Sequence, residues 1–281
     1  MAGEGLRLLK RGKVKDIYEL DRDRLLFYYT DRVSAFDVVL PSTIPFKGEV
    51  LCRMSAFWFK HLDFPNHMLE LIPPNKMVVK RLTMIPMEFV VRGYLYGSLY
   101  ERVLRGEAEV PIEPVLAAKL PKPILDPTTK FEAKDRPVTR EEVVEKGWLT
   151  DEEYDMLEDV CIKIYTAMAR RADEAGFILA DLKLEFGRDK DGSILLADSI
   201  GPDEFRLWVK ANYKPGRRQD SYDKQPVRDW LESVGYKKAV EEAVKHGKPI
   251  PPPPKLPEEI IREVSRRYIE AFERLTGEKF R

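Results

Sequence analysis

Cysteine is nearly absent from the chain: Cys52 and Cys161 are the only two. No disulfide framework is expected, and a reducing compartment fits, so the protein reads as cytoplasmic. Histidine is almost as scarce, and His61, His67 and His246 show no metal-ligand spacing, which argues against zinc chemistry. No long apolar run and no signal-peptide pattern is found, so no membrane partner is expected. An excess of one charge is missing too. With 48 basic and 48 acidic residues, the global charge gives no footprint for nucleic acid, although local basic sites stay open. Glutamine and asparagine are few beside Lys, Arg and Glu, a bias that suits a thermophile.

What is present is enough chain for a real core, in one large domain or two to three small ones. Residues 10–50 read as β-rich, with strands in GKVKDIYEL, DRLLFYYTD and AFDVVLPSTIP. CRMSAFWFKHL, residues 52–62, reads as a helix, and VVKRL and EFVVRGYL return to strands. The proline-rich segment 111–138 reads as a surface loop. Thr139 with Glu142, and Thr150 with Glu153, form capping-box patterns. After Thr150, apolar residues recur at helical spacing up to a stop at Gly176. QPVRDWLESVGY reads as helical, KPIPPPPK as a stiff connector, and an amphipathic helix runs from Leu256 through Leu275. A β-rich start, a mixed middle and a helical end indicate an α+β fold.

The stretch AGFILADLKLEFGRDKDGSILLADSIGPDEFRLW, residues 175–208, is the most informative. Asp181, Lys183 and Glu185 alternate with Leu182, Leu184 and Phe186, the period of a strand with one buried face. DKDG supplies a turn centred on Asp191-Gly192, and the returning strand carries Asp198. A two-residue loop sets Glu185 opposite Asp198. Facing carboxylates repel, and a cation between them reverses the sign; Mg²⁺ takes oxygen ligands of this kind. A four-residue loop keeps both acids on one face, whereas three or five residues would send Asp198 to the other. The competing reading is a solvated face on which Lys183 bridges the acids.

Three further stretches hold charge in unusual settings. In GKVKD, Lys13 and Lys15 are two apart and so share a strand face, with Gly12 leaving room for a ligand. They could hold phosphates, although the stretch is neither a Walker loop nor GxGxxG; the alternative is a basic edge that discourages aggregation. In VVKRLTMIPMEFVVRGYLYGS, residues 78–98, Lys80 lies in an apolar run, and Thr83 to Pro86 interrupts two strands as a linker between lobes would. Arg92 follows an apolar triplet, and Gly97-Ser98 offers amides and a hydroxyl to an anion. The alternative has Lys80 snorkelling and Arg92 paired with a carboxylate such as Glu88. QDSYDKQPVRDWL groups Asp223, Lys224 and Arg228 near Tyr222 and Trp230, and alone reads as a solvated helix start.

Together these segments resemble the SAICAR synthetase family. MIPMEFVVRGYLYGS and LADLKLEFG look like its signatures, and DRVSAFDVVLPSTIPFKG, DPTTK and GPDEFRLW look like family segments. The resemblance implies an ATP-grasp-related, two-lobed α+β architecture with antiparallel sheets and a helical C-terminal region. It divides the chain into a β-rich nucleotide lobe over 1–84, a central lobe with the metal hairpin over 85–215, and helices over 216–281 packed on the central lobe. It implies a ligase of de novo purine biosynthesis, joining the carboxylate of carboxyaminoimidazole ribonucleotide (CAIR) to the amine of L-aspartate, with ATP and Mg²⁺. Lys183, Glu185 and Asp198 are then the catalytic residues, with Glu185 and Asp198 holding Mg²⁺. Lys13 and Lys15 lie near the ATP phosphates, Lys80 contacts the nucleotide, and Leu82, Met84 and Pro86 belong to the adenine hinge. Arg92, Ser98, Asp203 and Arg206 bind CAIR, Arg228 helps with its phosphate, and Asp223 and Lys224 join that set. Ser34, Asp37 and Lys47 line the substrate cleft. Assembly into a homo-oligomer is compatible with this reading. Three departures from the family pattern stand out: Tyr96 for a small residue, Ser199 for a glutamate after Asp198, and KFEAKDRPV, where Asp135 is the counterpart of a usual His-Asp. Rival readings are another ATP-dependent carboxylate–amine ligase or kinase on the same hairpin, and a non-catalytic nucleotide-binding module.

Overall fold

The computed structural model describes residues 5–132 and 135–281. Strands β1 (Arg7–Arg11), β2 (Lys15–Glu19) and β3 (Arg24–Tyr29) come first, followed by the short pair β4 (Arg32–Ala35) and β5 (Val38–Thr43). Helix α1 (Lys47–His61) leads to β6 (Met68–Ile72) and β7 (Lys76–Lys80). These build an antiparallel five-stranded sheet in the order β1-β2-β3-β7-β6, while β4 and β5 pair with each other. Strand β1 was not foreseen, because RLLKR, exposed throughout, lacks the alternation that marks a half-buried strand.

The chain then crosses to a second sheet through β8 (Thr83–Met84) and β9 (Met87–Tyr94). After α2 (Gly97–Leu104) come β10 (Lys119–Leu125), β11 (Thr128–Thr129), α3 (Arg140–Glu145) and α4 (Asp151–Glu174). Strands β12 (Phe177–Arg188), β13 (Ile194–Ala197) and β14 (Phe205–Val209) precede α5 (Gln225–Ser233), α6 (Tyr236–Lys245) and α7 (Glu258–Thr276). The second sheet runs β10-β9-β12-β13, with β14 and β8 also on β12 and β11 on β9. The expected surface loop over 111–138 is thus corrected: it contains β10 and β11. Pro121 and Pro123 are tolerated because β10 is an edge strand whose pairing with β9 lapses between Lys119 and Ile124.

Local signals explain the helices that hold these sheets. Thr150 and Glu153 close a capping box on α4, with Asp151 and Glu152 adding charge at its positive end. Tyr154, Leu157, Cys161, Ile164, Tyr165 and Met168 form its buried stripe. At Thr139 only the threonine half of the expected box is recorded, accepting from the Glu142 amide. Helix α7 buries Val264, Tyr268, Phe272 and Leu275 and packs along α1, where Ser265 donates to the Pro45 carbonyl at 2.7 Å. No helix among the described residues is long and apolar enough to cross a membrane.

Candidate active site

The middle strand β12 carries the site. Leu182, Leu184 and Phe186 are buried on one face, as the alternation requires. On the other, Asp181 lies in register between Arg92 of β9 and Arg206 of β14. Two residues along, the Lys183 ammonium donates to Glu185 at 2.6 Å and Glu88 at 3.1 Å. The Glu185 carboxylate, 2% exposed, takes a second cation from Lys130. Glu88 therefore serves Lys183; Arg92 has carboxylate partners, as the alternative reading expects, but they are Asp126 and Asp181. Burial alone would push the Lys183 proton off, but Glu185, Glu88 and Asp198 outweigh it and raise its pKa well above the ordinary lysine value.

The hairpin register differs from the expected one. Arg188 pairs with Ile194 and Glu185 with Ala197, not with Asp198. Asp189 bonds across to Ser193, so the loop holds three residues, Lys190 to Gly192. The Asp189 side chain fixes it by accepting from the amides of Asp191 and Ser193. A three-residue loop would send Asp198 to the far face, but the strand ends at Ala197 and Asp198 adopts φ 62°. This left-handed turn, which costs a non-glycine residue about 1 kcal/mol or more, takes Asp198 out of the strand's alternation. Its Oδ1 accepts from Lys15 Nζ at 2.5 Å. Burial raises the Asp198 pKa, but Lys15, Lys130 and Lys183 together hold the carboxyl far below its usual range. Glu185 and Asp198 thus share cations without facing each other in register. No group of three or more His, Cys, Asp or Glu among the described residues is placed to hold a metal.

A second set of charges continues from Asp181. Arg92 donates to Asp126 at 2.9 Å, to Asp181 at 3.4 Å and to Ser98 at 3.0 Å. Arg102 also grips Asp126, and Arg206 grips Asp181, giving a row of alternating sign. Tyr96 packs its ring 5.5 Å from the Arg206 guanidinium and edge-on to Trp208, so the large residue supports the site's wall. Next to this row, Asp203 accepts from Lys47 and from the Tyr268 hydroxyl, each at 2.8 Å, with Lys224 at 4.0 Å. Burial opposes these groups, yet Lys224 and Lys47 keep the Asp203 carboxyl far below the usual range. Burial in turn lowers Lys224 to about 8. Among the described residues, the Arg228 guanidinium donates only a long 3.4 Å bond, to Gln225. The oxygens of Asp223 are taken by the amides of Leu207 and Gln225.

Other expected residues lie at the rim. Lys13 is not on the face of Lys15: residues 12–15 form the turn between β1 and β2, and Lys13, half exposed, pairs with Asp37 at 2.5 Å. Gly12 admits the Lys15 carbonyl, which would lie 2.8 Å from an added Cβ, not a ligand. Asp135 stands near Glu88, Asp37, Lys13 and Lys130, and burial with Glu88 raises its pKa; Ala133 and Lys134 of the same segment lie outside the described residues. Ser34 is buried in β4. Lys80 is partly exposed, 3.9 Å from Asp189, as the snorkelling alternative has it. Of the hinge residues, Thr83 and Met84 pair with β12, the Ile85 amide donates to Phe186, and the Pro86 carbonyl accepts from Lys130. Lys130, Asp126, Asp181, Glu204 and Tyr268 were not assigned from sequence. Asp126 and Lys130 are the ends of DPTTK, a segment that the resemblance marks without giving its residues a role, and the surrounding prolines hide its docking against β9.

A family model described as SAICAR synthetase matches residues 8–244. A phosphoribosylaminoimidazole-succinocarboxamide synthase of Nitrosopumilus maritimus is 48% identical over 274 residues, covering 97% of this chain and 99% of that protein. The SAICAR synthase of Saccharomyces cerevisiae complexed with SAICAR is 35% identical with TM-score 0.84, covering 98% and 96% of the two chains. A type-2 SAICAR synthetase in complex with ADP is 27% identical with TM-score 0.74, covering 97% and 99%. With the cation-rich pair of Glu185 on β12 and Asp198 just past β13, and the arginine row beside it, these matches leave one assignment: the chain belongs to the SAICAR synthetase family.

Proposed function

We propose that the protein is a cytoplasmic ATP- and Mg²⁺-dependent ligase that joins CAIR to L-aspartate, giving SAICAR, ADP and phosphate in de novo purine biosynthesis. The observation that carries this reading is the adjacency of two centres on one strand. Lys15, Lys130 and Lys183 gather around Glu185 and Asp198, and Asp181, two residues away, anchors Arg92 and Arg206. Phosphoryl transfer needs positioning and charge neutralisation more than a protein nucleophile. The first centre supplies that for ATP phosphates, and the second suits an anionic ribonucleotide.

Glu185 and Asp198 are hard oxygen donors now balanced by ammonium groups. Mg²⁺ takes one or two carboxylates and completes its shell with water and phosphate oxygens, so the donor set fits. When bound, the ion would neutralise charge on those oxygens. In the proposed course, a CAIR carboxylate oxygen attacks the γ-phosphorus and ADP leaves, giving an acyl phosphate. The aspartate amine then attacks the acyl carbon, loses a proton, and inorganic phosphate departs. Lys15 and Lys130 would orient phosphates, Lys183 would hold Glu185 in place, and Arg92, Ser98, Arg206, Lys224 and Arg228 would bind CAIR.

The lobes over 1–84, 85–215 and 216–281 belong to the same reading, supported by the change of sheet between β7 and β9. The test is incubation of purified protein with ATP, Mg²⁺, CAIR and aspartate. SAICAR should accumulate one-for-one with ADP and not when aspartate is left out. ADP release with CAIR but no SAICAR would favour a kinase instead.

A further inference from the structure

Glu204 is the buried carboxylate that the reaction course above leaves without a task. It sits beside Asp203 at the entry to β14 and is 8% exposed. Its Oε1 accepts the Ser199 hydroxyl at 3.3 Å. Its Oε2 is buried and has no hydrogen-bond partner among the described residues. An orphaned buried oxygen is destabilising, the more so when charged, so its presence needs a reason. Burial, then Asp203, push its carboxyl up to about 7.

Ser199 connects this carboxylate to the first centre. Lys15 Nζ donates to Ser199 Oγ at 3.2 Å and to Asp198 Oδ1 at 2.5 Å. It also lies over two rings, 4.6 Å from the Phe27 centroid and 5.5 Å from that of Tyr29. Asp198 cannot give its full charge to both Lys15 and a divalent cation. Lys183 has Glu88 in reserve when Glu185 is engaged. For Lys15 the described residues offer the Ser199–Glu204 pair. Serine at 199 is too short to bring a carboxylate itself; the acid arrives from residue 204 through the hydroxyl.

Resting on the reading of Glu185 and Asp198 as cation ligands, we propose that Glu204, acting through Ser199, is a positioning residue that keeps Lys15 at the phosphate end of the site once Asp198 turns to the metal. The pair is then a second, buried anchor for Lys15 when the metal takes its first.

The test is calorimetric binding of Mg·ADP, and of ADP in EDTA, to the full chain and to Glu204→Gln, Ser199→Ala and the double variant. Each single change should weaken Mg·ADP roughly tenfold and metal-free ADP much less. The double variant should bind no more weakly than the weaker single one, because both act along one path. The thermal midpoint of Glu204→Gln at pH 8 should not fall, since the amide removes a costly buried charge. Mg·ADP binding unchanged in Glu204→Gln, additive losses, or equal losses with and without metal would overturn the inference. Wild-type protein that fails to bind Mg·ADP would overturn the cation-site reading and this inference with it.

Discussion

Arg228 is a poorly compensated cation of the site. Burial, then Arg206, lower its pKa, Asp223 only partly offsets them, and its recorded hydrogen bond is the long one to Gln225. Asp223 is itself occupied by two amides. A guanidinium so placed gains most when an anion arrives. Arg228→Ala should therefore raise the CAIR Michaelis constant about tenfold or more, with little change for ATP and no loss of thermal stability. Equal effects on the two substrates in steady-state kinetics would remove Arg228 from the CAIR site. Single residues are legible in sequence where a charge follows an apolar triplet, as at Arg92, or alternates with apolar residues on a strand, as at Lys183. They were not legible where the partner lies far along the chain: nothing near Asp203 announces Lys47 or Tyr268.

Elements were legible where one signal dominates. The alternation in β12 and the capping box of α4 both hold. The β12–β13 loop was misread because Asp189 adds side-chain bonds that a dipeptide turn rule ignores, and the lost register is answered by the φ 62° turn at Asp198. Two local departures from the ideal hairpin thus bring Asp198 to Lys15. Helix α1 offers a sharper test of how elements set the site. An added Cβ at Gly48 would lie 2.6 Å from the Tyr29 carbonyl oxygen, backbone that cannot swing aside. That close approach seats α1 on β3, and Lys47, its first residue, is thereby held against Asp203. Gly48→Ala should cost about 2 kcal/mol or more by overpacking and weaken CAIR binding by displacing Lys47. A variant with the wild-type urea midpoint would show that the contact relaxes at no cost.

At the scale of the whole molecule, two sheets must stay docked for the site to exist, and the seam runs through residues 65–67. Leu196 of β13 donates to the Pro65 carbonyl, and its own carbonyl accepts the His67 amide at 3.0 Å. The His67 ring sits edge-on to Phe27 and Phe59, with Nε2 buried and without a hydrogen-bond partner among the described residues. Burial first, and Lys15 second, lower its pKa to about 3. The folded protein thus keeps this ring neutral, while the unfolded chain protonates it near the ordinary value of about 6.5. Stability is complete above that value and falls as pH drops toward 3, by roughly 1.4 kcal/mol per pH unit. Glu204 has the opposite sign, because its raised pKa favours the proton in the fold and its cost grows as pH rises toward 7. Asp198 and Asp203, held far below the carboxylate range, act only at more acid pH. Between pH 7 and pH 5 His67 is therefore set against Glu204. In EDTA and without nucleotide, His67→Leu should lose roughly 2 kcal/mol less than the wild type over that interval, measured as the change in urea unfolding free energy. If both proteins lose the same amount, His67 is protonated without cost in the fold, and the seam between the sheets is wetter than its packing indicates.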